Sequence, residues 1–365
     1  MHTKAKIAIY GLGLMGGSLG LTLVRDGFTV SGWGRNPATV QEAYRIGAIN
    51  HLPSSLEDAL EGARYVFVGT PVANIGETIK MCLPFAAPGA IFSDLGSIKG
   101  LILEEVFSFL PDTHYFVAGH PMTGSEQQGI SAADPFLYQN ATYVIIEDPR
   151  TPRFAVDEVM EVLRTTGANL IKLTADEHDR IVGMISHLPH LLASTLAKTA
   201  GYEEELHPGT LTLAAGGFRD TTRVALGSPG LWEGIILGNK AKVLQAINTF
   251  QAQLDILKDI LSSSDRERLV AFLENAREVR QQIPAKNKGF LSLFHEMVVT
   301  VEDRPGALEE VLHFLAKEGL NIKDIEILRV REGDGGTLKL SLENNEAVEQ
   351  AIHILEKEGF KARKR

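Results

Sequence analysis

Lys6-Ile7-Ala8-Ile9-Tyr10-Gly11-Leu12-Gly13-Leu14-Met15-Gly16-Gly17-Ser18 stands close to the start of the chain. Its first five residues have the pattern of a short buried strand, and after the glycines Leu19, Leu23 and Val24 recur at helical spacing. Gly11, Gly13 and Gly16 therefore form a G-x-G-x-x-G pattern between a strand and a helix, the setting in which it marks a dinucleotide-binding fold. The first glycine permits a tight turn, the second admits a pyrophosphate, and the third lets helix pack on strand. The helix then points its free N–H groups at the phosphates. Gly11, Leu12, Gly13, Leu14, Met15 and Gly16 are candidate cofactor-binding residues on an α/β Rossmann domain.

Residues 28–33 read as the second strand, whose end should meet the adenosine ribose. An acid roughly 20 residues past the fingerprint would hydrogen-bond the ribose hydroxyls of NAD. The sequence there is Gly34-Arg35-Asn36, without an acid. A carboxylate repels a 2′-phosphate, whereas a guanidinium pairs with one. Arg35 is either a ligand for NADP or a solvated loop residue beside NAD, and both remain open. Asn36-Pro37 is an N-cap followed by proline at the first helical position. Two more buried strands end at Thr70-Pro71 and at Asp94, the latter followed by Leu95-Gly96-Ser97-Ile98-Lys99-Gly100 entering a helix. Ligands of an open α/β sheet lie beyond the carboxyl ends of its strands, so Thr70, Pro71 and Ser97 should face the cofactor crevice. Ser97 has two compatible readings, N-cap of the next helix and hydrogen-bond partner of His120 or of a substrate hydroxyl.

His120 comes from Phe116-Val117-Ala118-Gly119-His120-Pro121-Met122-Thr123-Gly124-Ser125-Glu126, a strand that delivers one histidine into a turn of glycines and proline. An unperturbed histidine titrates near working pH, which makes His120 a candidate general base. Strands over 141–147 and 168–173 complete a first domain of residues 1–173.

Composition limits the alternatives. A chain of 365 residues is expected to form two or three domains. A net charge of −10 argues against nucleic acid and anionic membranes as partners. One cysteine, Cys82, leaves no internal disulfide and no thiolate metal cage, and no metal is expected. With no signal-peptide pattern and no apolar run of membrane-spanning length, a cytoplasmic location is expected.

Residues 174–283 read as helical. Thr174-Ala175-Asp176-Glu177 is a capping box. Ile181, Ile185, Leu188, Leu192 and Leu196 form an apolar stripe, with Gly183, His187, His190 and Ser194 on a neighbouring face. Pro189 should kink this helix by freeing the carbonyl of Ile185. Two histidines on one face beside a kink suggest a lined site. Gly216-Gly217-Phe218-Arg219-Asp220-Thr221-Thr222-Arg223 suits an anion site, with Arg223 the better carboxylate ligand. Val243, Ile247, Phe250, Leu254, Leu257 and Leu261 share a face of one long helix, and such wide stripes suggest a homodimer.

The fingerprint, Asp94-Leu95-Gly96-Ser97-Ile98-Lys99-Gly100, Gly119-His120-Pro121-Met122-Thr123-Gly124, Ser186-His187-Leu188-Pro189-His190 and Gly217-Phe218-Arg219-Asp220-Thr221-Thr222-Arg223 occur in that order. Over about residues 5–283 the chain resembles the prephenate dehydrogenase family. The resemblance implies oxidative decarboxylation of prephenate to 4-hydroxyphenylpyruvate, with hydride passing to a nicotinamide. It implies that His120 takes the proton of the ring hydroxyl with help from Ser97, and that His190 and Arg223 hold the substrate carboxylates. Glu126 would border the entrance with Arg219 or Asp220, and Ser125 and His187 belong to the same substrate set. The departure is Gly34, where NAD-using members carry an acid.

After a polar linker over 284–292, residues 293–365 read as β-α-β-β-α-β, the ferredoxin-like order. Asp303-Arg304-Pro305-Gly306-Ala307-Leu308 with Gly319-Leu320-Asn321-Ile322 resembles an ACT domain, a module that binds amino acids. The resemblance implies regulation by tyrosine through Asp303, Pro305, Gly306, Asn321 and Ile322; the other reading is a dimerisation module without ligand. Two functional alternatives stay open: arogenate dehydrogenase, and a non-catalytic amino-acid sensor on a dinucleotide fold.

Overall fold

Strand β1 (Lys6–Tyr10) buries both its faces, with Ile7 and Ile9 in one apolar cluster and Ala8 and Tyr10 in another. That is the mark of a parallel strand covered by helices on both sides. There follow α1 (Leu14–Arg25), β2 (Val30–Trp33), α2 (Pro37–Arg45), α3 (Leu56–Leu60), β3 (Ala63–Val68), α4 (Ile75–Cys82), β4 (Ile91–Asp94), α5 (Gly100–Phe107) and β5 (Tyr115–Val117). The five strands make a parallel sheet in the order β2-β1-β3-β4-β5, in which Ile7 pairs with both Val30 and Tyr65. Strand order reverses between β1 and β3, and the crevice at such a reversal is where a doubly wound sheet binds ligands. The computed structural model describes residues 5–124, 127–283, 295–302, 304–328 and 336–364.

Sterics account for two of the fingerprint glycines. Gly11 has φ +96°, and a Cβ there would lie 2.7 Å from the Gly69 carbonyl carbon. A Cβ on Gly16 would sit 2.1 Å from the Gly11 oxygen. The two lips of the crevice meet backbone to backbone. Behind them, Cys82 is buried at the end of α4, and burial pushes its thiol up to about 12.

The chain leaves this sheet at Ala118. The segment expected as a single strand up to His120 is two, because β6 (Gly119–Pro121) pairs antiparallel with β7 (Thr142–Ile146) in a second sheet. After α6 (Arg153–Arg164), β8 (Asn169–Leu173) completes that sheet in the order β6-β7-β8. His120 lies opposite Val144.

The helical part packs onto the sheets. Helix α7 (Ala175–Val182) begins at the expected capping box, with Thr174 accepting from the Glu177 N–H. A π-helical turn, Gly183–His187, leads into α8 (Leu188–Leu206). This wide turn stands where a kink was expected: Pro189 has no N–H for the Ile185 carbonyl, and the turn absorbs the mismatch. Then come α9 (Gly216–Thr222), α10 (Pro229–Gly238), α11 (Lys240–Ser262) and α12 (Arg266–Gln282). Of the two faces of α7 and α8, it is the histidine-bearing one that is buried in one copy of the chain. Ile185 is 61% exposed while His187 is 1% exposed, and Ile181 and Leu196 are also exposed. On α11, Leu254 and Leu261 are exposed as well. The apolar stripes are thus only partly used within one copy of the chain.

Residues 290–365 form a compact unit separate from residues 1–289. This unit contains β9 (His295–Val301), α13 (Ala307–Lys317), β10 (Asp324–Leu328), β11 (Gly336–Leu342), α14 (Asn345–Lys357) and β12 (Lys361–Lys364). Its antiparallel sheet runs β10-β11-β9-β12, and Val311, Leu315, Val348 and Leu355 of the helices pack on Met297, Val299, Leu338 and Leu340. This is the ferredoxin-like arrangement. Among the described residues, no helix is long and apolar enough to cross a membrane.

Candidate active site

The antiparallel turn-off at β6 brings His120 against α7. His120 Nδ1 lies 2.7 Å from His178 Nε2, and His178 Nδ1 lies 2.8 Å from Asp179 Oδ1. Asp179 also accepts from the backbone N–H groups of Lys99 and Gly100, each at 2.8 Å, where α5 begins. A carboxylate that collects donors at a helix N-terminus is held ionised, and it can only accept. The protons along the line follow from that constraint. His178 carries its proton on Nδ1 and accepts at Nε2, so His120 donates from Nδ1 and keeps a lone pair on Nε2.

Burial pushes His120 well below the ordinary histidine value, and the positive potential of His178, Lys99 and His187 adds to it. Burial also lowers His178, opposed by its bond to Asp179. His187 is pushed down to about 4, chiefly by burial. The lowered values keep His120, His178 and His187 neutral at neutral pH. His187 Nδ1 accepts from Asn239 Nδ2 at 3.2 Å, and the same amide donates to the Asp179 carbonyl at 2.8 Å.

Trp232 on α10 links the other histidine. His190 stacks on its ring at 3.7 Å between centroids and 12° between planes, while His187 meets the ring edge-on at 6.2 Å. Burial lowers His190, offset by a hydrogen bond to the Val224 backbone. That contact ties α8 to the turn that begins at Arg223. Two buried polar atoms here lack a partner among the described residues, His190 Nδ1 and Ser97 Oγ. A buried polar atom left unpaired calls for a ligand or water.

The candidate cofactor residues gather at the crevice. A cleft of about 320 Å³ brings Gly11, Leu12 and Gly13 together with Arg35, Thr70 and Pro71. No side chain caps α1, whose N-cap is Gly13, and a Cβ at Gly13 would meet nothing within 4 Å. That open, uncapped helix end fits a pyrophosphate. Leu14, Met15 and Gly16 form the first turn of α1 behind the cleft. Of the two readings of Ser97, the N-cap is not found, since α5 starts at Gly100 with Lys99 as N-cap. Arg219 and Arg223 are exposed, on α9 and just beyond it. Ser125, Glu126 and Asp303 lie outside the described residues, as does the expected linker. In the C-terminal unit, Pro305 precedes Gly306, which is the N-cap of α13 at φ +88°, and Asn321 is exposed beside Ile322.

Sequence reasoning passed over His178 and Asp179. Both follow the capping box at Thr174 by about one turn, and their burial beside Val182 is the signal: the inward face of α7 is polar. Asp94 and Lys99 were quoted as part of a motif without a role, yet they are buried and paired.

Models of known families match the chain in three consecutive parts. The nucleotide-binding domain of prephenate dehydrogenase matches residues 19–172, its dimerization domain residues 174–275, and the ACT domain residues 295–357. A prephenate dehydrogenase of Bacillus subtilis is 32% identical over 359 residues, covering 97% of this chain and 96% of the relative. Among solved structures, prephenate dehydrogenase from A. aeolicus in complex with hydroxyphenyl propionate and NAD+ has a TM-score of 0.71 at 29% identity, covering 76% of this chain and 98% of that one. Synechocystis arogenate dehydrogenase has a TM-score of 0.69 at 29% identity, covering 76% and 99%. With three domains matched in order and a relative alike along almost the whole length, the chain belongs to the prephenate dehydrogenase family.

Proposed function

We propose that this protein oxidises prephenate with loss of its ring carboxylate, giving 4-hydroxyphenylpyruvate, carbon dioxide and reduced nicotinamide. The observation that carries the reading is the line His120–His178–Asp179, which leaves an unprotonated Nε2 on a histidine that burial keeps neutral. His120 Nε2 takes the proton of the ring hydroxyl. The electrons of that O–H bond form the carbonyl as hydride departs from the same carbon. The bond to the ring carboxylate then breaks, its electron pair completes the aromatic ring, and carbon dioxide leaves. A nicotinamide bound in the crevice would supply the hydride acceptor. The chain's own tasks are a base, a carboxylate clamp and orientation. Ser97 Oγ, buried and unpaired, is suited to the substrate hydroxyl, and His190 with Arg223 to the carboxylates.

Arg35 in the cleft, with no acid at Gly34, supports use of NADP as well as NAD. The arogenate reading has its own support in the similarity to the Synechocystis enzyme. Tyrosine is the proposed effector of the ACT unit, where the N-terminus of α13 is capped only by Gly306. Steady-state kinetics with prephenate and arogenate, each with NAD and NADP, test these assignments together. Turnover with prephenate and either cofactor is expected. Turnover with arogenate alone would replace the substrate assignment, and none with either substrate would reject the enzyme.

A further inference from the structure

Gly119, directly before His120, is gripped on both sides of its backbone. Its N–H donates to Asp94 Oδ1 at 3.2 Å, and its carbonyl accepts from Lys99 Nζ at 2.6 Å. Lys99 and Asp94 are themselves an ion pair at 2.5 Å, with both side chains 0% exposed. Asp94 Oδ2 also takes the Gly96 N–H at 2.9 Å, so its position is set by its own loop. The backbone N–H of Lys99 holds Asp179 Oδ1, the atom that orients His178 and, through it, the His120 ring. Lys99 thus reaches the same imidazole by two routes, one through the preceding peptide and one through the ring. The peptide has little room to shift, since a Cβ on Gly119 would lie 2.8 Å from Tyr143 Cε1.

A buried ion pair is a weak way to stabilise a fold, because desolvating both charges offsets most of their attraction and apolar residues can fill the same volume. Here it fixes two atoms that a base needs fixed. We infer that Lys99, paired with Asp94, is a positioning residue that holds His120 Nε2 in line with the hydroxyl it deprotonates. The inference rests on His120 being the base. The groups facing His120 are His178 with Asp179 behind it from α7, His187 from the π turn, and Lys99 from the N-terminus of α5, paired with Asp94 at the end of β4.

Lys99→Met keeps the apolar stem and removes the ammonium. Its kcat per folded molecule, counted by cofactor-binding stoichiometry, should fall roughly 10²-fold, the cost of a small misplacement of reacting groups. KM for the cofactor should stay near the wild-type value. The acid limb of the kcat profile should move to higher pH, because a positive charge opposing protonation of His120 has gone. If only the melting temperature drops while kcat per folded molecule and the acid limb stay in place, Lys99 is structural and the inference is overturned. Should Lys99→Met fail to fold, the double change Asp94→Asn with Lys99→Met leaves no unpaired charge and is read in the same way. His120→Asn is measured alongside. Wild-type kcat in that variant removes the base and this inference with it, whereas a loss there with unaffected Lys99→Met removes the positioning role alone.

Discussion

As the proposed base, His120 must be neutral, and its surroundings are arranged to keep it so. Burial, then His178 and Lys99, hold its value well below the ordinary one, so protonation would shut off the proposed base only in acid. The acid limb of kcat/KM for the wild-type enzyme is therefore expected below pH 6.5, the unperturbed histidine value. His120→Asn should cut kcat roughly 10²–10⁴-fold, the usual worth of a general base, with substrate affinity largely kept. Rapid-mix kinetics and a separate binding titration distinguish the two effects. Cofactor preference also turns on one residue. A Cβ at Gly34 would meet nothing within 4 Å, so Gly34→Asp introduces a carboxylate without strain. It should repel a 2′-phosphate and shift the NAD/NADP ratio of kcat/KM toward NAD by roughly tenfold, equivalent to about 1.4 kcal/mol. An unchanged ratio would mean that the loop after β2 does not read the ribose.

The segment from α7 through the π turn to α8 carries His178, His187 and His190, all of them lowered by burial. A histidine depressed in the folded state leaves the unfolded chain binding more protons as pH falls below 6.5, and stability is lost on the way down to the folded value. For His187, at about 4 in the fold, the loss between pH 8 and pH 5 is at most about 2 kcal/mol. Urea midpoints at those two pH values should fall together with signals from this segment; equal midpoints would contradict a neutral, buried cluster. The same segment shows what could be read without coordinates. Strand and helix periodicity, the fingerprint and the Thr174 capping box are local, so the order of elements was legible from neighbouring residues alone. The inward turn of polar His178 and Asp179 was not, because their burial depends on α5, which meets them from about 80 residues away in sequence. The apolar stripe of α7 and α8 was legible as a stripe, and Ile181 and Ile185 of it are exposed on one copy of the chain. Periodicity identifies a face but not what covers it. His120 was found because glycine and proline flank it, while the carboxylate behind its partner leaves no mark in that window.

At the scale of the whole protein, the exposed leucines of α11 and the match to a dimerization domain point to a second copy as their cover. Leu254→Lys with Leu261→Lys should therefore shift the species seen by analytical ultracentrifugation toward monomer; an unchanged sedimentation coefficient would place the contact elsewhere. Control by tyrosine is expected to reside in residues 290–365, a unit compact by itself. A chain ending at Ile283 should remain active and lose most tyrosine sensitivity, a coupling typically worth about 1–3 kcal/mol. Inhibition as strong as in the full chain would mean that tyrosine competes at the active site. Cys82 makes a change in the spacing of the ACT units on tyrosine binding measurable. As the only thiol in the sequence, fully buried and with its ionisation pushed up to about 12, it is expected to be silent toward maleimides and methanethiosulfonates. Lys357→Cys, on an exposed position of α14, then carries the sole reactive sulfur without further engineering. In the expected dimer a nitroxide attached there would report a single electron–electron distance, and pulsed dipolar spectra with and without tyrosine would read whether the two ACT units change their separation.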